Sequence, residues 1–580
     1  EGGLTESDVM VDSPTNNFAT WNSLNLPAAA VLSEGNTKLT QTSNDRGGAG
    51  TMAISSGKFY FEIYYTAGSN PEIGLAPMSQ NYANSGATNS TDKFLFISNN
   101  GGVRTPAWTA TSTTGLSSQT GISVIGFAID ADAGKAWFTN ASGTYFNSGN
   151  PATGSNPQAT FDSDWLTQTG GGVVPFAGIY TGTGSDIRIN FGSDSSFAGA
   201  KTPQGKQDSN DIGDFFHQPP SGYLALCSVN LPSVDVIPSE NFNTVLYTGT
   251  RQNKVISGVG FQPDFIWLKT RSTVSNHVSV DSVRGGDKAI QPNTTSTENQ
   301  YGAQNDKVTA FSSDGFSLGV DAAGYGFNDN NSTYAAWNWK AGGSASSNTD
   351  GTITTQVSAN PSAGFSIVSY TGNATNATKL GHGLSSAPTL VIVKSRTSAA
   401  PWKVGGSVIQ SLYGDGTNNS AFLYLNTDAA ADQHTTGFQG NTATTIQVGA
   451  DSDTNASGKT YIAYAFHSVD GYSKVGSYVG NGNADGPFVN CGFRPAFVLW
   501  KRSDSAIEWN IMDSTRSTAN PLGLDLYPNI SNAEYDYGEI VDYLSNGFKF
   551  RNGTVLSNAS GGKYLYLAFA ETPFKFSNAR

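Results

Sequence analysis

Pro263-Asp264-Phe265-Ile266-Trp267-Leu268-Lys269, inside GVGFQPDFIWLKTR (258–271), is the stretch that decides the fold. Successive side chains of a strand point to opposite faces, and here both faces are apolar. Such a strand belongs in the middle of a layered sheet rather than at an edge. Proline at its first position is tolerated because the ladder has not yet begun. The stretch recurs as GLSSAPTLVIVKSR (383–396) and CGFRPAFVLWKRS (491–503). Pro263, Pro388 and Pro495 are 125 and 107 residues apart, and Lys269, Lys394 and Lys501 keep the same spacings.

Each recurrence sits in a longer ordered set of landmarks. A tyrosine strand precedes it: Leu246-Tyr247-Thr248-Gly249, Ser369-Tyr370-Thr371-Gly372 and Ser477-Tyr478-Val479-Gly480. Trp402 and Trp509 follow, again 107 apart. Asp281-Ser282-Val283-Arg284 returns 232 residues later as Asp513-Ser514-Thr515-Arg516, while the middle copy has lost it. Next come Gly315-Phe316, Gly437-Phe438 and Gly547-Phe548, and each copy closes on an aromatic strand: YAAWNWKA (334–341), YIAYAFHS (461–468) and YLYLAFAE (564–571). Self-similarity in this order marks a repeat architecture of three diverged copies. Period-two patterning makes each copy a β-sandwich, with less than about 10% helix overall.

The 580 residues correspond to about four domains at roughly 150 residues each. The expected boundaries are an N-terminal domain at 1–232 and copies at 233–346, 347–471 and 472–580. GGSASSNTDG, within 341–364, has the composition of a flexible linker. Only Val469-Asp470-Gly471 joins copies two and three, which should therefore be held tightly together.

Charged residues are only 13% of the chain and Gly reaches 67, while aromatics at 11% supply the material for a core. That balance is all-β, with aromatic and β-branched runs between small polar turns. A net charge of −13 argues against nucleic acid, which needs a basic stripe, and against an anionic membrane surface. No apolar run reaches the roughly 20 residues of a membrane span, and no secretory signal opens the chain. Cys227 and Cys491 are too few for a disulfide framework, and the five histidines, at 217, 277, 382, 434 and 467, form no i,i+4 pair. No metal and no cofactor is expected.

The first 232 residues read differently. GKFYFEIYYT (57–66) and PEIGLA (71–76) are followed by GISVIGFAIDADAGKAWFTNASGTYF (121–146) and VVPFAGIYTGTGSDIRINFGS (173–193). Phe127-Ala128-Ile129-Asp130 and Ala136-Trp137-Phe138 flank the turn Ala133-Gly134 as a hairpin. The Gly-Lys-aromatic opening, Glu72-Ile73-Gly74-Leu75, this hairpin and Asn190-Phe191-Gly192 resemble the SPRY domain, a concanavalin-like sandwich, over roughly residues 13–200. That resemblance implies a binding module without a cofactor. The flanks Asp12–Phe18 and Pro219–Cys227, together with the tandem modules, resemble phage virion proteins of the tail-fibre type. What this implies is a host-facing bacteriophage virion protein at the particle surface, a homo-oligomer (by habit of such fibres a trimer) with other virion proteins as partners.

Candidate chemistry is sparse. Asp451-Ser452-Asp453-Thr454-Asn455 has the start of a calcium loop but lacks glycine at position 6 and an acid at position 12, which is Ile462. The equivalent turns, Asn328–Asn331 and Ser557–Ser560, are ordinary, so a turn is the preferred reading, and likewise for Asp130 and Asp132. Asp281…Arg284 and Asp513…Arg516 could fork onto a carboxylated sugar, but recurrence at equivalent positions favours a local ion pair. No catalytic motif appears, so the chain is not read as an enzyme. The stretches that drift most between copies are 291–305, 413–433 and 520–537, which marks them as loops free of the fold's demands. The last carries Tyr527, Tyr535 and Tyr537, stiff amphipathic rings suited to contact a ligand. The function expected is receptor binding and host attachment through a surface glycan or protein. The alternatives are a purely structural virion component (decoration protein, adaptor or head fibre) and a polysaccharide-degrading enzyme.

Overall fold

A computed structural model describes residues 16–573 apart from 24–25, 27–29, 42–45, 66–70, 78–94, 98–102, 105–109, 112–122, 162–172, 180–184, 232–233, 301–307, 323, 325, 414–420 and 434–436. His434, most of Asp12–Phe18 and parts of the two stretches 291–305 and 413–433 lie outside the described residues. The chain is all-β. Its helical pieces among the described residues are short, Ser407–Tyr413 being the longest at 7 residues. It divides into two compact units, Glu1–Pro232 with Phe488–Asn490, and Ser233–Pro487 with Cys491–Arg580.

In the first unit, Lys58–Tyr65 is central in one sheet, flanked by Ser185–Asn190 and Ser123–Asp130, the latter in a hairpin with Lys135–Phe138. The second sheet holds Val173–Ile179 between Arg46–Ala49 and Pro71–Pro77. The sheets meet face to face, so closely that a Cβ on Gly48 of one would lie 3.1 Å from the Leu39 side chain of the other. The two ends of the quoted pattern converge on one residue. Buried Glu62 accepts from Tyr60 Oη (3.1 Å), Asn190 Nδ2 (3.1 Å) and the N–H groups of Phe216 (2.9 Å) and His217 (2.6 Å). Burial lifts its pKa to about 7 despite these four donors.

The second unit contains the three copies, and they share a strand order. In each, the tyrosine strand pairs with the closing strand, the closing strand with the proline–lysine strand, and that with a fourth: Phe242–Thr248, Thr333–Trp339, Phe265–Thr270 and Val278–Asp281 in copy one. Copy two repeats this with Phe365–Thr371, Thr460–Phe466, Leu390–Ser395 and Lys403–Gly405. Copy three does so with Ser473–Val479, Lys563–Pro573, Phe493–Arg502 and Trp509–Asp513. Register is kept too. Tyr247/Tyr334, Tyr370/Tyr461 and Tyr478/Tyr564 stand opposite one another with rings stacked at 4.9, 5.2 and 4.8 Å.

Both faces of the proline–lysine strand are indeed buried, for two different reasons. Ile266 and Leu268 face the copy's own small sheet. Phe265 and Trp267 face outward from the copy into one large core, which also takes Leu390, Ile392, Phe497 and Leu499 from the others. The three sandwiches thus close around a common centre and are one compact body rather than beads. A cavity of about 20 Å³ at that centre is lined by apolar side chains of all three copies, including Trp267, Ile392, Leu499 and Leu567. It offers no polar partner to a water, so it stays a packing void.

Two expectations need correction. The linker-like GGSASSNTDG is not free: Ser346–Asn348 pairs with Thr355–Asn360, and both extend the sheet of copy two. Backbone pairing needs no apolar side chains, so composition did not reveal it. The drifting stretches are not free of the fold either; they clasp the neighbouring copy. Glu534 N–H donates to Arg271 O (2.8 Å), Glu298 N–H to Arg396 O (2.9 Å) and Ala431 N–H to Ser503 O (2.7 Å). Trp402 Nε1 donates to Gln291 O (3.0 Å) and Trp509 Nε1 to Tyr424 O (2.9 Å). At the third equivalent position, Trp267 Nε1 donates to His277 Nδ1 (3.0 Å), which leaves His277 Nε2 to donate to Tyr527 O (2.9 Å). The partners these stretches supply in the six bonds are main-chain N–H and C=O groups, which nearly any residue offers; that is why the sequence drifts.

Behind two of the three joints lies a buried polar network. Arg284 Nε meets Asp281 Oδ2 at 2.6 Å, and Arg516 Nε meets Asp513 Oδ2 at 2.5 Å, all four side chains fully buried. Each acid also accepts from the copy next door: Tyr464 Oη to Asp281 (2.8 Å) and Trp337 Nε1 to Asp513 (3.0 Å). Glu298 bridges Arg284 and Arg396, as Glu534 bridges Arg516 and Arg271. The third joint replaces every member. Gly406, Ile409 and Ala431 stand where copy two would need Asp, Arg and Glu, and Ser503 and Leu567 face them where copy three would need Arg and an aromatic donor. The acid and its donor have been lost together.

Candidate functional site

The stretch 520–537 of copy three carries an exposed aromatic face, that of Tyr535 and Tyr537. Leu522–Asp525 pairs with Tyr535–Leu544, with Asp525 directly opposite Tyr535. Opposed residues share a face of the sheet, so Asp525 and Tyr535 point the same way, and Tyr527 and Tyr537 each lie two residues along. The register breaks between Leu522 and Leu524, so Tyr537–Glu539 bulges outward, turned by Gly538 at φ +76° and held by its N–H on Asp536 Oδ1 (2.9 Å). A bulge re-aims side chains in this way.

The three tyrosines come together but do not play one part. Tyr535 and Tyr537 are 58% and 50% exposed with centroids 4.4 Å apart. Tyr527 lies 6.4 Å from Tyr537 and is buried, at 7%. Its backbone carbonyl is the one gripped by His277, so Tyr527 supports the pair rather than presenting itself. Burial is the largest cause raising its pKa, followed by Asp525 and the Tyr537 hydroxyl, so these groups converge on its hydroxyl.

Asp525, beneath the tyrosines, gave no sequence signal. It is 1% exposed, and neither carboxyl oxygen has a hydrogen-bond partner of good geometry. The nearest backbone N–H groups, those of Leu526 and Ile511, are spent on each other's carbonyls at 3.3 and 2.8 Å. Burial drives its pKa well up, against the opposing pull of the Arg516 charge and the Tyr527 hydroxyl.

The other candidates resolve into structure. Asp451 caps the short helix Ser452–Asn455 and pairs with Lys403, which also reaches Asp453 at 3.4 Å, so an ammonium sits where the calcium reading placed a metal. Asn328, Asn455 and Asn558, each fully buried, stitch the equivalent turns in the three copies. Asp130 pairs with Lys58 at 2.9 Å, and Asp132 accepts from Gly57 N–H at 2.9 Å. Among the described residues no group of three His, Cys, Asp or Glu could hold a metal. Cys227 and Cys491 are buried and are not joined in a disulfide.

These features define an all-β protein in which three homologous sandwiches close on a shared core. The chain belongs to the family described as a domain of unknown function (DUF7483), whose model matches residues 237–573, more than half its length. No curated protein matches. Solved structures similar to part of the chain include stonustoxin (14% identity over 30% of this chain and 28% of that one, TM-score 0.23). The PSpry domain of TRIM65 (12%, covering 30% and 90%, TM-score 0.21) and the SPRY domain of human HERC1 (15%, covering 29% and 96%, TM-score 0.21) are others. The chain thus spans under a third of the length of stonustoxin.

Proposed function

We propose that the protein is a bacteriophage virion protein of the tail-fibre type that binds a host-surface glycan or protein, with the first unit a SPRY-type sandwich and Tyr535 and Tyr537 as the contact face. The observation that carries this reading is the exposed tyrosine pair, mounted on a bulge whose loop is clasped to copy one. A stiff aromatic surface on a rigid scaffold loses little entropy on binding. The reading is of a binder and not an enzyme. Particles carrying Tyr535→Ser and Tyr537→Ser should adsorb poorly to host cells while keeping the parent's thermal unfolding. Undiminished adsorption would remove this site.

A purely structural role in the virion is the second reading, favoured by the buried networks that lock the copies together. Antibody labelling of particles separates the two, since an attachment protein sits at a host-facing tip. We extend the first reading to a homo-oligomer, a trimer by the habit of the fibres it resembles. The three copies already close their own ring, so such a trimer uses another surface. A mass measurement in solution giving a stable monomer would overturn that extension.

A further inference from the structure

We propose that the tyrosine face takes a glycan through an uncharged, hydroxyl-rich sugar and rejects sugars carrying carboxylates. This rests on the reading of Tyr535 and Tyr537 as the contact face and adds the chemistry of what they contact.

The observation that carries it is the charge around the face. Residues 517–548 contain Asp525, Glu534, Asp536, Glu539 and Asp542 and neither lysine nor arginine. The nearby cations are already committed, Arg271 and Arg516 to Glu534, Arg516 also to Asp513, Arg551 to Asp542, and the Lys269 ammonium to the carbonyls of Thr270 and Ser531. The copy-one segment laid alongside, Ser272–Asn276, carries no charge at all. Recognition of a carboxylated sugar is the work of an arginine fork, and no free one is here. What remains is two exposed rings for the apolar face of a pyranose, with the Tyr537 hydroxyl and the exposed Glu539 carboxylate close by to accept from sugar hydroxyls.

The test uses the full chain and two series of oligosaccharides matched in backbone: mannan, galactan and glucan fragments, and their counterparts oxidised to uronate at C6. At low salt, at least one neutral series should bind, with its uronate bound about tenfold more weakly or worse. Added salt should narrow the gap by screening repulsion, and Glu539→Gln should narrow it at fixed salt. Tyr535→Ser with Tyr537→Ser should abolish neutral binding with unfolding unchanged. A uronate bound as tightly as its neutral parent, through the same tyrosines, overturns this inference and leaves the contact face standing. Failure of both series to bind, with adsorption unaffected by the tyrosine changes, overturns the contact face itself.

Discussion

The indole N–H of Trp337 donates to Asp513 Oδ2 at 3.0 Å, joining residues 176 positions apart in the first and last copies. Asp513 is at the same time the partner of Arg516 at 2.5 Å, and all three side chains are buried. The joint that closes the ring therefore depends on a charge pair whose acid needs a donor from elsewhere.

Removing one member of this pair should cost far more than trimming its donor. Asp513→Leu removes the buried partner of Arg516 Nε, leaving the guanidinium only the Glu534 carboxylate that Arg271 shares, and should lower stability by about 3–5 kcal/mol. Trp337→Phe keeps the ring and the ion pair, leaves one acceptor short, and should cost about 1–3 kcal/mol. Chemical denaturation of the two variants checks the ranking.

Ile409 occupies the position held by Arg284 and Arg516 in the other copies. Ile409→Arg places a guanidinium opposite Leu567 with no acid to receive it and should destabilise by several kcal/mol, in the range of about 3–5 for an unpaired buried charge. Ile409→Met, of similar volume, should cost under about 1.5 kcal/mol. Equal effects in a thermal melt would mean the joint is wet.

Tyr527 and Tyr535 should separate cleanly. Tyr527→Ser removes a buried ring and should lower the unfolding midpoint, whereas Tyr535→Ser should leave it within the scatter of surface substitutions, about 0.5 kcal/mol. Calorimetry on both variants decides whether Tyr527 is support or contact.

Lys269, Lys394 and Lys501 are buried at equivalent positions, and burial lowers each pKa to about 8. Their folded values lie below the unfolded one near 10.4, so above pH 8 the unfolded chain holds more protons than the folded one. Stability should therefore rise with pH from 8, opposed from about 8.5 by ionisation of the Cys227 and Cys491 thiols and near 10 by that of tyrosine in the unfolded chain. The lysine gain is of the order of 1 kcal/mol each, and it is lost again as pH falls through 8. The triple lysine-to-methionine variant should lose this rising contribution over that window.

The sandwiches were legible because their signal lies in side chains. An apolar run on both faces, a tyrosine ladder and a lysine at fixed spacing all have to be spelled out in residues. The sharing of one core was half visible, since Phe265 and Trp267 made the second face apolar without saying what covers it. The clasps were hidden because they run largely through carbonyls of Gln291, Tyr424 and Tyr527, which leave no trace in residue identity. Asp525 was hidden for the opposite reason: an acid in a drifting loop looks like solvated charge until the ladder places it opposite Tyr535. The paired loss of Asp and Arg in copy two could have been followed further, to Leu567 standing where Trp337 and Tyr464 stand in the other copies.

Copy one is the single repeat that owns both halves of the lock, offering Arg271 and Trp337 on one edge and Asp281, Arg284 and Glu298 on the other. Such an edge pair is head-to-tail complementary. Once three repeats are covalently in line, two keyed joints settle their cyclic order. Swapping copies two and three would bury the acids of copy one against Ser503 and Leu567. The third seam inherits its geometry from the other two and was left at liberty to shed its buried charges, keeping only its clasps.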